Sequence, residues 1–315
     1  MDPKKVIDWL LNMDVSIQYQ VHRDLLGSDR KDLKNRIAME GWGKTFLSKQ
    51  KSDGHWGAGF YQPKWISTHY TLLDLKNLAM DNTSGNVDFI LKKLLLENKA
   101  SDGGINPIGT ISVIDVCING MFLNYACYFK ADANGMHSVV DFLLSQVMPD
   151  GGFNCRSNRS GATHSSLHTT LSVLEGIDEY RKNGYTYKLD ELTKAENSSK
   201  EFILQHHLFK SDKTGEIIKK DFLRIPYPCR WKYDILKALD YFQYSLTPWD
   251  ARMEEAISYL IGKRNKQYTW NLNAAYAGKT HFEMEKSGQP SGWNTLRMMR
   301  ILKYYRPDLW QEYTW

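Results

Sequence analysis

Cysteine is scarce in this sequence and is not arranged for a framework. The four thiols among 315 residues, Cys117, Cys127, Cys155 and Cys229, include no CxxC pair and no regular spacing. A disulfide scaffold is thereby excluded, and the expectation is reduced thiols in a cytoplasmic protein. No stretch approaches the roughly 18 uncharged apolar residues that a membrane-spanning helix needs. The opening segment MDPKKVIDWLLNMD interrupts its short apolar run at Asp8 and Asn12, so it is not read as a signal peptide. No basic block stands out either. The net charge of +5 is spread along the chain, and nucleic acid is not an expected partner. Runs that alternate apolar and polar residues with the period of a strand are almost missing, which points to an all-α fold.

What is present is a repeat. Asp53-Gly54, Asp102-Gly103 and Asp150-Gly151 are spaced by 49 and 48 residues. Asp-Gly marks turns, because Gly supplies backbone angles that other residues avoid. Weaker copies stand at Asp212 and near Trp270. An amphipathic stretch precedes each turn, at 36–50, 87–99, 136–147, 192–208 and 249–263, with apolar residues at helical spacing. A more apolar stretch follows each, at 67–80, 114–129, 164–180, 230–242 and 291–305. The pattern predicts five helix–turn–helix repeats of roughly 50 residues after a helical region at 3–27. Such pairs stack as an open solenoid or close into a ring. The more apolar second helices suggest the ring, since inner helices are buried on most faces. The expected architecture is therefore an α/α toroid, a single domain over 1–315, with 1–30 as an N-terminal helical extension packing on it. The chain is 42% hydrophobic and 13% aromatic, enough for a large core and for an aromatic-lined cavity.

At these residues the sequence resembles the α/α-toroid superfamily of terpenoid cyclases and protein prenyltransferases, over essentially the whole chain. FLSKQKSDGHW (46–56) is similar to the QW motif of squalene–hopene cyclases, with Gln50, Gly54 and Trp56 in place. LLSQVMPDGGFN (143–154) is a weaker copy with Phe153 where Trp would stand. The resemblance implies that Gln50 caps a neighbouring helix, that Trp56 packs on it, and that an apolar central cavity takes an isoprenoid-like substrate. Cyclases of this kind protonate their substrate through DxDD, whereas VIDVCING (113–120) holds one acid, Asp115. Protein prenyltransferases bind zinc at the mouth of the toroid through Asp-x-Cys on one inner helix and His on the next. Asp115-Val116-Cys117 and His168 match that pattern. The resemblance thus implies a zinc-dependent transferase working with a separate partner subunit. The Arg and Lys that hold a diphosphate ahead of Asp-x-Cys in that family are missing from INPIGTISVI (105–114), and Ile118 stands where a Tyr usually follows. Arg230, Lys232 and Arg297 are the candidate substitutes for anion binding.

Residue chemistry allows the same site. Asp, Cys and His are zinc ligands, and three protein ligands with one open position make a catalytic centre. With the second helices side by side, His69, Cys117 and His168, at intervals of 48 and 51, fall at nearly one level. His164, one turn before His168, is an alternative ligand or a support for one. Zinc would hold Cys117 as thiolate and activate a thiol or water. Each residue also has an ordinary reading: Asp115 as a helix cap, Cys117 as a small buried hydrophobe, His168 and His69 as core histidines. Trp65, Trp231 and Trp293, near the starts of second helices, are candidates to line the cavity. Two functions stay open at this level. One is a metal-assisted enzyme acting on an apolar small molecule such as an isoprenoid. The other is a non-catalytic toroid that binds a lipid or a peptide.

Overall fold

Five turns share one hydrogen-bond pattern in the computed structural model, which describes residues 2–82, 85–107, 114–156 and 160–314. In the first, Lys51 N–H donates to His55 O and Gly54 N–H to Lys51 O, at 2.9 and 3.0 Å. The pair recurs at Ala100, Gly104 and Gly103, then at Met148, Gly152 and Gly151. It returns one residue longer at Ser211, Glu216 and Gly215, and at the original length at Asn265, Thr269 and Tyr268. One residue of each turn takes a positive φ: Gly54 (85°), Gly103 (90°), Gly151 (89°), Gly215 (72°) and Tyr268 (61°). Glycine adopts that conformation without steric cost, which is why the first three copies are written as Asp-Gly. A tyrosine disguises the fifth.

In four of the five an apolar anchor follows two residues later and fastens the turn to the next helix. The backbone N–H of Trp56 donates to Thr68 Oγ1 at 3.0 Å, and that of Ile105 to Asn119 Oδ1 at 2.7 Å. Phe153 N–H donates to Thr170 Oγ1 at 3.0 Å and Trp270 N–H to Thr295 Oγ1 at 3.1 Å. The indoles of Trp56 and Trp270 reach backwards, to Phe46 O at 2.7 Å and Leu260 O at 2.6 Å. Gln50 donates to Gly54 O at 2.9 Å. Its amide therefore closes its own turn, which corrects the expectation of a cap on a neighbouring helix.

The N-terminal region holds α1 (Val6–Leu11), α2 (Val15–Gln20) and α3 (Lys31–Arg36). The first helices of the five units are α4 (Gly41–Leu47), α6 (Asn86–Glu97), α8 (Ala133–Ser145), α10 (Leu189–Gln205) and α12 (Glu254–Gly262). The second helices are α5 (Thr68–Asn77), α7 (Val116–Tyr128), α9 (Leu167–Lys182), α11 (Ile235–Tyr244) and α13 (Gly292–Tyr305). A short α14 (Pro307–Trp310) ends the order. The first helices bury one stripe, as α6 does with Val87, Ile90, Leu91 and Leu94. The second helices are enclosed: α7 is buried without interruption from Ile118 to Cys127. Among the described residues the strand content is one antiparallel pair, Trp270–Asn271 with Pro290–Ser291. The all-α expectation holds. No helix among them is long and apolar enough to cross a membrane.

Chain ends meet across the last second helix. On α13, Arg300 donates to Gln20 Oε1 and pairs with Asp24, each at 2.6 Å, and Lys303 Nζ reaches Asp24 O at 2.8 Å. The closest helix pair is α7 with α9, which cross at Gly120 and Gly176. A Cβ on Gly120 would lie 2.7 Å from Ser172 O and from Val173 Cα, and one on Gly176 would strike Gly120 O. Backbone cannot yield there as a flexible side chain would. Gly176→Ala is therefore expected to destabilise the fold by about 1–3 kcal/mol through overpacking, read as a lower midpoint in chemical denaturation. An unchanged midpoint would show that the two helices can separate freely.

Candidate functional site

Two cavities take up most of the candidate residues. The larger, about 540 Å³, lies at the starts of α7 and α9. Its wall carries Asp115, Cys117, Cys155, His168, Trp231 and Lys232. The repeat register explains the meeting. Cys117 stands two residues before Asn119 and His168 two before Thr170, the side chains that receive the turns. His69 instead stands one residue after Thr68. That places it three residues deeper than Cys117, about 4.5 Å along a helix at 1.5 Å per residue. The intervals of 48 and 51 concealed this, because the loop from anchor to helix differs in length, with 12, 14, 17 and 25 residues between bonded partners. His69 is a core histidine: fully buried, 3.1 Å from Tyr125 Oη, with burial and then Lys64 pushing its pKa down to about 3. His164 is exposed ahead of α9, where its carbonyl accepts from Asn154 at 2.6 Å. Residues 108–113 of INPIGTISVI lie outside the described residues.

His168 is held by a backbone donor. Tyr233 N–H donates to His168 Nδ1 at 2.8 Å. A backbone amide can only donate, so Nδ1 is the acceptor and Nε2 of the neutral ring carries the proton. Burial, then Lys219, Lys232 and Lys237, push the pKa down to about 3, which keeps the ring neutral. Metal-bound histidines usually donate from the second nitrogen; here that nitrogen accepts. As arranged, Asp115, Cys117 and His168 do not offer three lone pairs to one ion. Among the described residues no three His, Cys, Asp or Glu side chains converge on a metal position.

The neighbour of Cys117 is Cys155. Cys155 Sγ accepts from Cys117 N–H at 3.2 Å and from the Thr169 hydroxyl at 3.5 Å. The Cys117 thiol and the Thr169 hydroxyl hold the Cys155 thiol below its ordinary range against the effect of burial. Cys117 is pushed well up, by Cys155 first and then by burial. Sequence alone offered little sign of the pairing, because the two cysteines are 38 residues apart in different repeats.

The smaller cavity, about 140 Å³, is lined by all five second helices together with Gln20 and Arg23. The resemblance implied an apolar centre, and here the expectation needs correction. The lining includes the cations Arg23, Lys76, Arg230, Lys237, Arg297 and Arg300 and the acids Glu175, Glu179 and Asp240. Ion pairs tie most of them together: Lys76 with Glu179 at 2.9 Å, Lys237 with Glu175 at 3.0 Å, and Arg297 with Asp240 at 3.3 Å. Burial pushes Glu179 up, but Lys76, the Tyr244 hydroxyl and Lys182 together hold the carboxyl below its usual range. Arg230 is the loosely paired cation, 3.8 Å from Asp74, whose carboxyl burial pushes up to about 6. Arg230 and Lys232 lie in the turn before α11, not on that helix as expected, and Arg230 has a left-handed φ of 54°. Trp293 lines this cavity. Trp65 lines neither: its indole donates to Ala277 O at 2.7 Å, and its face receives Arg230 at 4.8 Å. Three buried donors, Arg230 Nε, Arg300 Nε and Trp293 Nε1, have no acceptor among the described residues.

No protein-family model and no curated protein matches the chain at a significant level.

The buried histidines give the fold a pH dependence. His69 titrates near 6.5 when unfolded and about 3 when folded. The unfolded chain binds the proton first, so this contribution is complete above 6.5 and is lost as pH falls. Asp74, raised from 3.8 to about 6, works in the opposite direction between those values. The informative quantity is thus a difference. The stability of the native sequence minus that of His69→Gln should fall by about 1.4 kcal/mol per pH unit between roughly pH 6 and pH 4. Denaturation curves at stepped pH measure it, and a pH-independent difference would contradict the assignment.

Proposed function

We propose that the five second helices close into an α/α toroid and that the chain is a binding protein whose central cavity seats a small oxyanion, a carboxylate or a phosphate. The single observation behind this reading is the set of buried, unanswered donors: Arg230 Nε, Arg300 Nε and Trp293 Nε1. A buried donor without an acceptor costs about 1–3 kcal/mol, and more when charged, so an anion that satisfies them relieves that cost. Arg230 adds a cation only loosely engaged by Asp74, and Arg297 a second one on the same wall. Size supports a small ligand. The cavity of about 140 Å³ has room for a cluster of waters or one small anion. It is below the roughly 300 Å³ at which pockets for larger organic ligands begin. An isoprenoid chain therefore does not suit the centre.

Phosphate, sulfate, acetate and succinate, titrated separately, should include at least one anion that raises Tm in a saturable way, by about 2.7 kcal/mol of stability at 100 times its Kd. Arg230→Gln and Arg297→Gln should each weaken that response at least tenfold, measured against each variant's own anion-free Tm. A uniform, non-saturable salt response shared by both variants would overturn the reading.

A second reading, the zinc-dependent transferase implied by the family resemblance, draws on Asp115, Cys117 and His168 sharing the 540 Å³ cavity. That volume suits an apolar substrate or a peptide segment. A zinc site there requires His168 to release the Nε2 proton or its bond from Tyr233. Elemental analysis of protein purified without chelator tests it. About one zinc per chain, lost in Cys117→Ala and His168→Ala, supports the transferase; no zinc removes it.

A further inference from the structure

We propose that Cys117 and Cys155 form a redox-active dithiol that exchanges with low-molecular-weight disulfides entering the larger cavity. This site is separate from the anion seat and goes beyond the binding reading. The geometry carries it. Cys155 Sγ is 3.2 Å from the Cys117 amide, in the first turn of α7, so the sulfur faces the positive end of a 13-residue helix. Thr169 fixes the turn from the other side: its hydroxyl donates to Cys155 Sγ at 3.5 Å and accepts from Cys155 N–H at 3.4 Å. These contacts hold the two thiols side by side on the wall of the cavity, where an entering disulfide reaches them. The two thiols are free and only partly buried, whereas Cys127 and Cys229 are buried. The cavity that exposes them is edged by Lys64, Arg156, Lys219 and Lys232, a positive rim suited to a disulfide that carries carboxylates, such as glutathione disulfide.

The exchange balances in two steps. Cys155 sulfur attacks one sulfur of glutathione disulfide, forming a mixed S–S bond and breaking the old one, and the expelled glutathione thiolate takes the proton lost by Cys155. Cys117 sulfur then attacks Cys155 sulfur and expels the second glutathione, which takes the Cys117 proton. Two protein thiols are oxidised to one disulfide, and one glutathione disulfide is reduced to two thiols.

The experiment uses the full chain, reduced, with glutathione disulfide and with EDTA present so that bound metal does not mask the thiols. Titratable thiols should fall from four to two on denaturation, with peptide mapping placing the bridge between Cys117 and Cys155. Cys117→Ser should stop at the first step, gaining one glutathionyl group on Cys155, and Cys155→Ser should react at least tenfold more slowly than the native sequence. Four remaining thiols, a bridge that includes Cys127 or Cys229, or a stable adduct on Cys117 would overturn the proposal. If a serine variant does not fold, the rate of iodoacetamide labelling in the reduced native sequence decides. Cys155 should be modified first, and preferential labelling of Cys127 or Cys229 would contradict the site.

Discussion

Charge buried at the centre of a helix assembly is the constraint on which this structure depends. An ion removed from water has to be paired or hydrogen-bonded, or the fold does not tolerate it. The second helices carry such ions on their inner faces: Lys76 on α5, Glu175 and Glu179 on α9, Lys237 and Asp240 on α11, Arg297 and Arg300 on α13. Each pair spans two helices that are distant in sequence. Lys76 joins α5 to α9, Lys237 joins α11 to α9, and Arg297 joins α13 to α11. Arg300 then joins α13 to Asp24 in the N-terminal region. The pairs therefore act as addresses as well as interactions. Removing one partner of a buried pair costs about 3–5 kcal/mol, so a helix placed in the wrong order would strand several charges at once. Apolar packing, as at Gly120 and Gly176, sets how closely neighbours approach but is less selective about which helix is the neighbour.

The same constraint separates the two cavities. Near the centre six cations face three acids on the cavity wall, Asp24 answers Arg23 and Arg300 from beside it, and the most loosely paired cation is Arg230, offset from Asp74 and held in a left-handed turn. A residue other than glycine in that conformation costs about 1–3 kcal/mol and persists only where its surroundings dictate it. Here the residue so held lines the cavity, with its guanidinium over the Trp65 ring. At the starts of α7 and α9 the chemistry changes to sulfur, imidazole and lysine. Burial and three lysines keep His168 neutral, and the backbone of Tyr233 fixes which nitrogen carries its proton. Anion binding at the centre and thiol chemistry at the edge can thus coexist, because Arg230, Arg297 and Trp293 line one cavity and Cys117 and Cys155 the other.

Much of the repeat was legible in the chain, for an identifiable reason. A turn that needs a positive φ recruits glycine, and Asp53-Gly54, Asp102-Gly103 and Asp150-Gly151 announce it. The fourth and fifth copies are faint because one is a residue longer and the other uses Tyr268. The site was only half legible. Asp115, Cys117 and His168 do reach one cavity: Cys117 and His168 occupy matched positions relative to the turn-receiving side chains, and Asp115 stands just ahead of α7. His69 does not, because raw intervals between residues include loops of unequal length. The charges at the centre were open to notice: Lys76, Glu179, Lys237 and Arg297 interrupt the most apolar stretches of the sequence. Taken one at a time they read as solvated faces. Their pairing is a property of the assembled helices, as is the approach of Cys155 to Cys117, and local sequence encodes neither.

The most direct test is a crystal structure of the chain grown or soaked with bromide, whose anomalous signal identifies an anion without relying on its shape. Bromide should occupy the central cavity within hydrogen-bonding distance of Arg230 Nε and Trp293 Nε1, with the five second helices around it. A cavity holding only water, or an Arg230 closed onto Asp74 as a direct ion pair, would contradict it.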